Sequence, residues 1–272
     1  MAVVLEKLEK ALSAVKDGQD GVYLQNRFQS LSAQTAINAA EGRCKTELRD
    51  PYYFAARDFD NLLTIALRLD WQKGLWARGD LDDTLWIRFV EADVHLFHVE
   101  FRSLFDYLAP IIRHVSDKPG QVKIGELRSS ASFEKLRNWT MESKGHANRL
   151  GKDLAAIVGS CDWFEDLREA RNALVHQGGT TTAFIEGKGR VLFQVHDRNF
   201  KDKVLVEEVM YRDNIVDFER YAGLYFGYLL DLLDEVGGAV NRRLGLADKS
   251  DRITYLHPAL DLVRSWIRTV SD

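Results

Sequence analysis

The chain has 272 residues, 46% of them hydrophobic, enough for one large core or for a core domain with extensions. Its formal net charge of −4 argues against a protein that coats nucleic acid non-specifically, because such proteins are usually basic; a small local phosphate site stays open. The two cysteines, Cys44 and Cys161, match no metal or redox spacing, and their scarcity points to a reducing, cytoplasmic setting.

In chain order, "MAVVLEKLEKALSAVK" carries Glu6, Lys7, Glu9 and Lys10 inside its apolar pattern. That breaks a signal-peptide core and predicts an amphipathic helix over 2–17, ended near Asp17-Gly18. Residues 20–50 are mixed, with a loop expected up to Pro51. A helix is expected over 52–78. "RGDLDDT" offers Asp82 and Asp83 as N-caps for a long helix over about 83–116. The main apolar stripe of that helix is Val90, Val94, Phe97, Phe101, Leu104 and Leu108, and a second, semi-apolar side carries Leu96, Val99 and Tyr107. Residues 131–158 read as one or two helices with a break at Gly145, and 162–177 as another. "TTTAFIEG" and "RVLFQVHD", joined through Gly187-Lys188-Gly189, read as a β-hairpin at about 180–198. A long helix follows over 214–244 and a short one over 255–270. No run reaches the ~18 apolar residues of a membrane span. The fold class expected is all-α, an antiparallel helical bundle with a small β-hairpin inserted before the last long helix.

The stretch "REARNALVHQGG", residues 168–179, concentrates the chemistry. On a wheel of about 100° per residue, Trp163, Leu167, Ala170 and Leu174 form a core stripe. Arg168, Asn172 and His176 recur at i, i+4, i+8 on the opposite side, with Arg171 on the flank and Gly178-Gly179 as the stop. A histidine in a last helical turn meets the negative end of the helix dipole, which favours the imidazolium. An arginine offers a planar cationic fork for phosphate oxygens. Together they suit metal-independent phosphodiester cleavage, the histidine moving a proton and the arginine holding phosphoryl charge. Positions i and i+5 lie about 140° apart on an ideal helix, so the two groups converge only when a second copy of the helix faces the first. The chemistry therefore predicts a homodimer.

"RNALVH", Arg171 to His176, resembles the R-x4-6-H motif of the HEPN superfamily, with its polar residue directly after the arginine. The resemblance covers about 80–246. It implies a dimeric helical bundle, catalytic Arg171 and His176 with Asn172 in support, an RNA substrate, and 2′,3′-cyclic phosphate and 5′-hydroxyl products. It also implies a toxin–antitoxin or defence setting, with an antitoxin or regulatory protein as a further partner. Some members are non-catalytic, so the alternative is a dimerisation or partner-binding module; an unrelated all-helical structural protein is a third reading. Residues 1–79 are read as an N-terminal helical extension and 247–272 as a C-terminal tail. The bare motif recurs as Arg252–His257, Arg190–His196 and Arg88–His95, and only Arg171–His176 combines the asparagine, the helix end and the glycine stop.

A second polar row, Glu91, His95, His98, Arg102 and Asp106, runs down the long helix at spacings of 4, 3, 4 and 4. It reads either as a structural salt-bridge row, with Arg102 and Asp106 paired at i, i+4, or as a wall of the same cleft. In the second case Arg168, Arg102 and His98 would bind substrate phosphate. Glu91, His95 and His98 also share a face as metal ligands would, but no metal or cofactor is expected. Lys144, His146, Arg149 and Lys152 form a basic patch, and Trp139 and Trp163 are candidates for base stacking or for the core.

Overall fold

A computed structural model describes residues 2–30, 46–117, 122, 132–176, 182–186, 189–194, 209–212, 215–248 and 255–271. The chain is mostly helical, with two small antiparallel sheets. Helix α1 (Ala2–Ala14) stops three residues short of the expected end, and its place is taken by a hairpin of β1 (Val15–Gly18) and β2 (Gly21–Leu24). The local signal was the doubled Asp-Gly in "KDGQDG", with Gly21 at φ 122°, a conformation that favours glycine. The residue pattern of α1 had masked it. Strand β2 then pairs with β7 (Tyr255–Leu256), so the two ends of the chain share a sheet.

Helix α2 (Thr46–Ala77) begins before Pro51 rather than after it. Helix α3 (Asp83–His114) starts on Asp82, whose carboxylate accepts from the Leu85 N–H at 2.9 Å. Asp83 instead takes the Trp76 indole N–H at 2.6 Å. The region expected to hold one or two helices holds three: α4 (Phe133–Glu142), α5 (Lys144–Leu150) and α6 (Lys152–Gly159). The breaks fall at Ser143, which caps α5, and at Gly151, at φ 105°, rather than at Gly145. Helix α7 (Trp163–His176) carries the arginine–histidine motif. Beyond it, β3 (Thr182–Glu186) pairs with β4 (Arg190–Gln194). The sheet continues through β6 (Ile215–Asp217) to β5 (Met210–Arg212), in the order β3-β4-β6-β5. The last long helix, α8 (Phe218–Leu244), consequently starts at an Asp217 cap rather than at 214 and ends on Gly245 in the left-handed region. Helix α9 (Leu260–Ser271) closes the chain.

Helix α8 is buried on nearly every side, as expected of a helix without a continuous polar face. Its glycines make that possible. A Cβ on Gly223 would collide with the backbone of α9 at Trp266 and Ile267, and one on Gly237 with the backbone at Arg27 and Phe28. One core joins all the helices: Leu8, Phe28, Phe59 and Leu62 from residues 1–79 belong to the same buried cluster as Phe97, Phe105, Phe164 and Phe226. The segment read as an extension therefore has no separate core. All six residues of the main α3 stripe, from Val90 to Leu108, are buried.

Candidate functional site

Helix α7 is held against α3 and α4 by aromatic packing. Phe105 of α3 meets Trp163 and Phe164 at ring-centroid distances of 5.4 and 4.7 Å, and Phe133 of α4 meets Phe164 at 5.1 Å. Trp163, Leu167 and Ala170 are buried, in agreement with the wheel; Phe164, off that stripe, is buried as well because α4 covers it. The side chains of 173–176 lie outside the described residues, as does the Gly178-Gly179 stop.

Arg171 and Asn172 sit together, half-buried, on the flank of α7. The Arg171 guanidinium donates to Asn172 Oδ1 at 3.3 Å. His176 is the last residue of the same helix.

Arg168, read as a phosphate contact, is already occupied. Its guanidinium meets Glu134 at 2.7 Å, Glu165 at 2.9 Å and Glu169 at 3.7 Å, while Arg137 also pairs with Glu165 at 3.2 Å. This network clamps the α4–α7 contact and surrounds Arg168 with carboxylates that disfavour an approaching phosphate. Arg102 pairs with Asp106, as its i, i+4 spacing predicted, and its guanidinium lies over the Phe164 ring at 5.3 Å. Asp106 also accepts from the Phe133 N–H at 3.3 Å.

His98 corrects the substrate-binding reading. It is fully buried, with Nδ1 at 2.7 Å from the Val94 carbonyl and Nε2 at 2.8 Å from the Tyr221 hydroxyl. A carbonyl only accepts, so Nδ1 carries the proton and Nε2 accepts from Tyr221; this tautomer is inferred from the network. Burial pushes the His98 pKa down to about 4, so the ring is neutral at neutral pH. It cannot touch substrate. The row on α3 therefore divides: His98 points into the core, while Glu91, His95, Arg102 and Asp106 stay at the rim. With both His98 nitrogens committed, Glu91, His95 and His98 do not form a ligand set. Among the described residues no group of three or more His, Cys, Asp or Glu is placed to hold a metal ion.

The lesser candidates resolve toward structure. Trp163 is buried beside Tyr228, at 5.1 Å between ring centroids. Trp139 stacks on the His146 ring at 4.3 Å, and His146 also meets Glu142 at 3.3 Å. Burial pushes the Cys161 thiol up to about 12, which removes it as a nucleophile. A cleft of about 190 Å³ lies elsewhere, between α1, β1–β2 and α8. Its lysines are committed, Lys10 to the buried Asp231 at 2.5 Å and Lys16 to Gln25 at 2.6 Å. Tyr221 is the residue that sequence reasoning missed. Its hydroxyl explains why His98 is tolerated in the core, and nothing in the local pattern links positions so far apart. Among the described residues, no helix is long and apolar enough to cross a membrane.

Comparison with known proteins finds no matching family model, no matching curated sequence and no matching solved structure.

Proposed function

We propose that this chain is a HEPN-type, metal-independent endoribonuclease that acts as a homodimer, its fold an antiparallel helical bundle with the 180–198 hairpin inserted before the last long helix. The observation that carries the reading is the Arg171–Asn172 pair, a guanidinium oriented by its neighbour on the half-buried flank of α7, five residues before a helix-terminal histidine. Arg171 holds a non-bridging phosphate oxygen. His176 moves a proton between the 2′-hydroxyl, the leaving 5′-oxygen and solvent. The 2′-oxygen attacks phosphorus, the bond from phosphorus to the 5′-oxygen breaks, and a 2′,3′-cyclic phosphate and a 5′-hydroxyl result.

The test is incubation with mixed RNA in EDTA, beside His176→Ala and Arg171→Lys. Cleavage by the natural chain and its loss in His176→Ala support the reading. Arg171→Lys keeps the charge but not the planar fork, and is expected to lower kcat/KM by ~10²-fold or more. Equal inertness of all three, with end groups unchanged, overturns it.

One observation favours the non-catalytic alternative. Arg168, the arginine nearest the pair along α7, is spent on three carboxylates. Under that alternative the 171–176 segment serves a dimer interface or a regulatory partner of antitoxin type, and its substitutions change association without any effect on RNA.

A further inference from the structure

Attack of a 2′-oxygen on phosphorus puts the entering and leaving oxygens on opposite sides of the phosphoryl group. The first must lose a proton and the second must gain one, so a single histidine cannot serve both at once. The arginine–histidine motif supplies one histidine. The packing of α7 on α3 supplies the place for another.

The two helices run antiparallel. At one end Arg102 of α3 lies over the Phe164 ring of α7 at 5.3 Å; at the other, the chain beyond α7 returns to α3, where the Ala183 N–H meets Glu91 at 3.5 Å. Seven residues on from Phe164 is Arg171, and seven residues back from Arg102 is His95. Seven residues make two turns, about 10 Å, and come back to within ~20° of the starting face. In antiparallel helices both steps lead the same way. Arg171 and His95 therefore stand to each other as Phe164 and Arg102 do, on the facing sides of α7 and α3. Both are half-buried. Helix α4 runs away from them: it begins beside Asp106 and Arg168, through Phe133 and Glu134, and proceeds toward Glu165, which Arg137 meets. His95 takes no hydrogen bond or ion pair among the described residues, unlike Glu91, His98 and Arg102 in the same row.

We infer that His95 is a second catalytic histidine, set beside Arg171 in the same chain, and that it is the base for the 2′-hydroxyl of the RNA. The inference rests on the nuclease reading and divides its proton transfers. Arg171 holds a non-bridging oxygen. His95 takes the 2′-hydroxyl proton as the bond from the 2′-oxygen to phosphorus forms. His176, whose place at a helix C-terminus favours the imidazolium, gives its proton to the 5′-oxygen as the bond from phosphorus to that oxygen breaks. His95 then releases a proton to water and His176 takes one from water, which restores both. Position 176 lies about 140° round α7 from position 171. The histidine that shares the arginine's side within one chain is thus His95, and His176 comes from the second copy.

The experiment is the kinetics of the full chain on RNA in EDTA, with melting followed in parallel. His95→Gln is expected to lower kcat by ~10²-fold or more, with KM within about threefold and melting preserved. Mixed dimers, made by co-expressing two variants, then place the residue. His95→Gln with His176→Ala rebuilds one intact site in each mixed dimer, about a quarter of the natural activity at equal amounts. His95→Gln with Arg171→Lys rebuilds none, because one chain must supply both groups. Full activity in His95→Gln, beside an inactive His176→Ala, overturns the inference and leaves the nuclease reading standing. Restored cleavage in the second mixture, or none in the first, overturns the placement of His95 with Arg171 in one chain. A natural chain that never cleaves RNA overturns the nuclease reading, and the inference with it.

Discussion

At the residue scale, His98 and Asp58 make opposite demands on pH. His98 is neutral in the fold and its pKa falls from an ordinary 6.5 to about 4 through burial. The unfolded chain therefore binds the extra proton first. The stability that His98 contributes is full above pH 6.5 and is lost as pH falls toward 4, about 3 kcal/mol in all. Asp58 is pushed up to about 6 by burial and by the charge of Glu100, against a hydrogen bond to Ser103. Its neutral form suits the fold, so its contribution is full below its ordinary 3.8 and is lost as pH rises through 6, on the order of 2 kcal/mol. The two slopes oppose each other between pH 4 and 6. Asp58→Asn is expected to raise stability at pH 7 and to leave the His98 acid arm steep and unopposed, read by urea titrations from pH 4 to 8. A shallow acid arm in that variant would show that His98 is not the group being protonated. Tyr221→Phe strips the partner from a buried Nε2 and should cost about 1–3 kcal/mol. In a double-mutant cycle with His98→Phe the two losses should not add.

At the element scale, α8 is positioned by the absence of side chains. The glycines that let it sit against other backbone are a packing device, in a helix where glycine is otherwise unfavourable by roughly 1 kcal/mol. Gly237→Ala forces the Arg27–Phe28 backbone away, and Gly223→Ala does the same to α9. Each is expected to destabilise by about 1–3 kcal/mol or more, measured as a fall in the urea midpoint. Gly74, half-buried on α2 with only the Arg78 side chain near its missing Cβ, is the matched control, and Gly74→Ala should be neutral or stabilising. Helix α7 shows the converse case. Its core face was legible because Trp163, Leu167 and Ala170 keep a helical spacing. That Phe164 would also be buried depended on where α4 came to rest.

At the scale of the whole molecule, residues 1–79 and the C-terminal tail cannot be trimmed away without opening the core. Trp76 packs on Trp86 at 4.6 Å, the buried Asp93 of α3 is answered by Arg68 and by Gln72 at 2.9 Å from α2, and β7 closes the sheet begun by β1 and β2. A fragment of residues 80–272 is therefore expected to lose cooperative unfolding and to expose apolar surface, seen as a broad thermal transition and strong dye binding. A sharp transition in that fragment would mark an independent domain. What the sequence determined by itself is what depends on neighbours along the chain: the long helices, from their 3.6-residue apolar spacing; the Asp82 cap; the Arg102–Asp106 pair; and the arginine–asparagine–histidine order on α7. What only the tertiary structure decided is what depends on residues far apart. Tyr221 pairs with a His98 that burial keeps neutral, Glu134 removes Arg168 from the free cations, and glycines on α8 bring both ends of the chain into one core. Periodicity reports which side of an element prefers to leave water. It carries no information about which partner arrives there, because that choice is made by the packing of the whole chain.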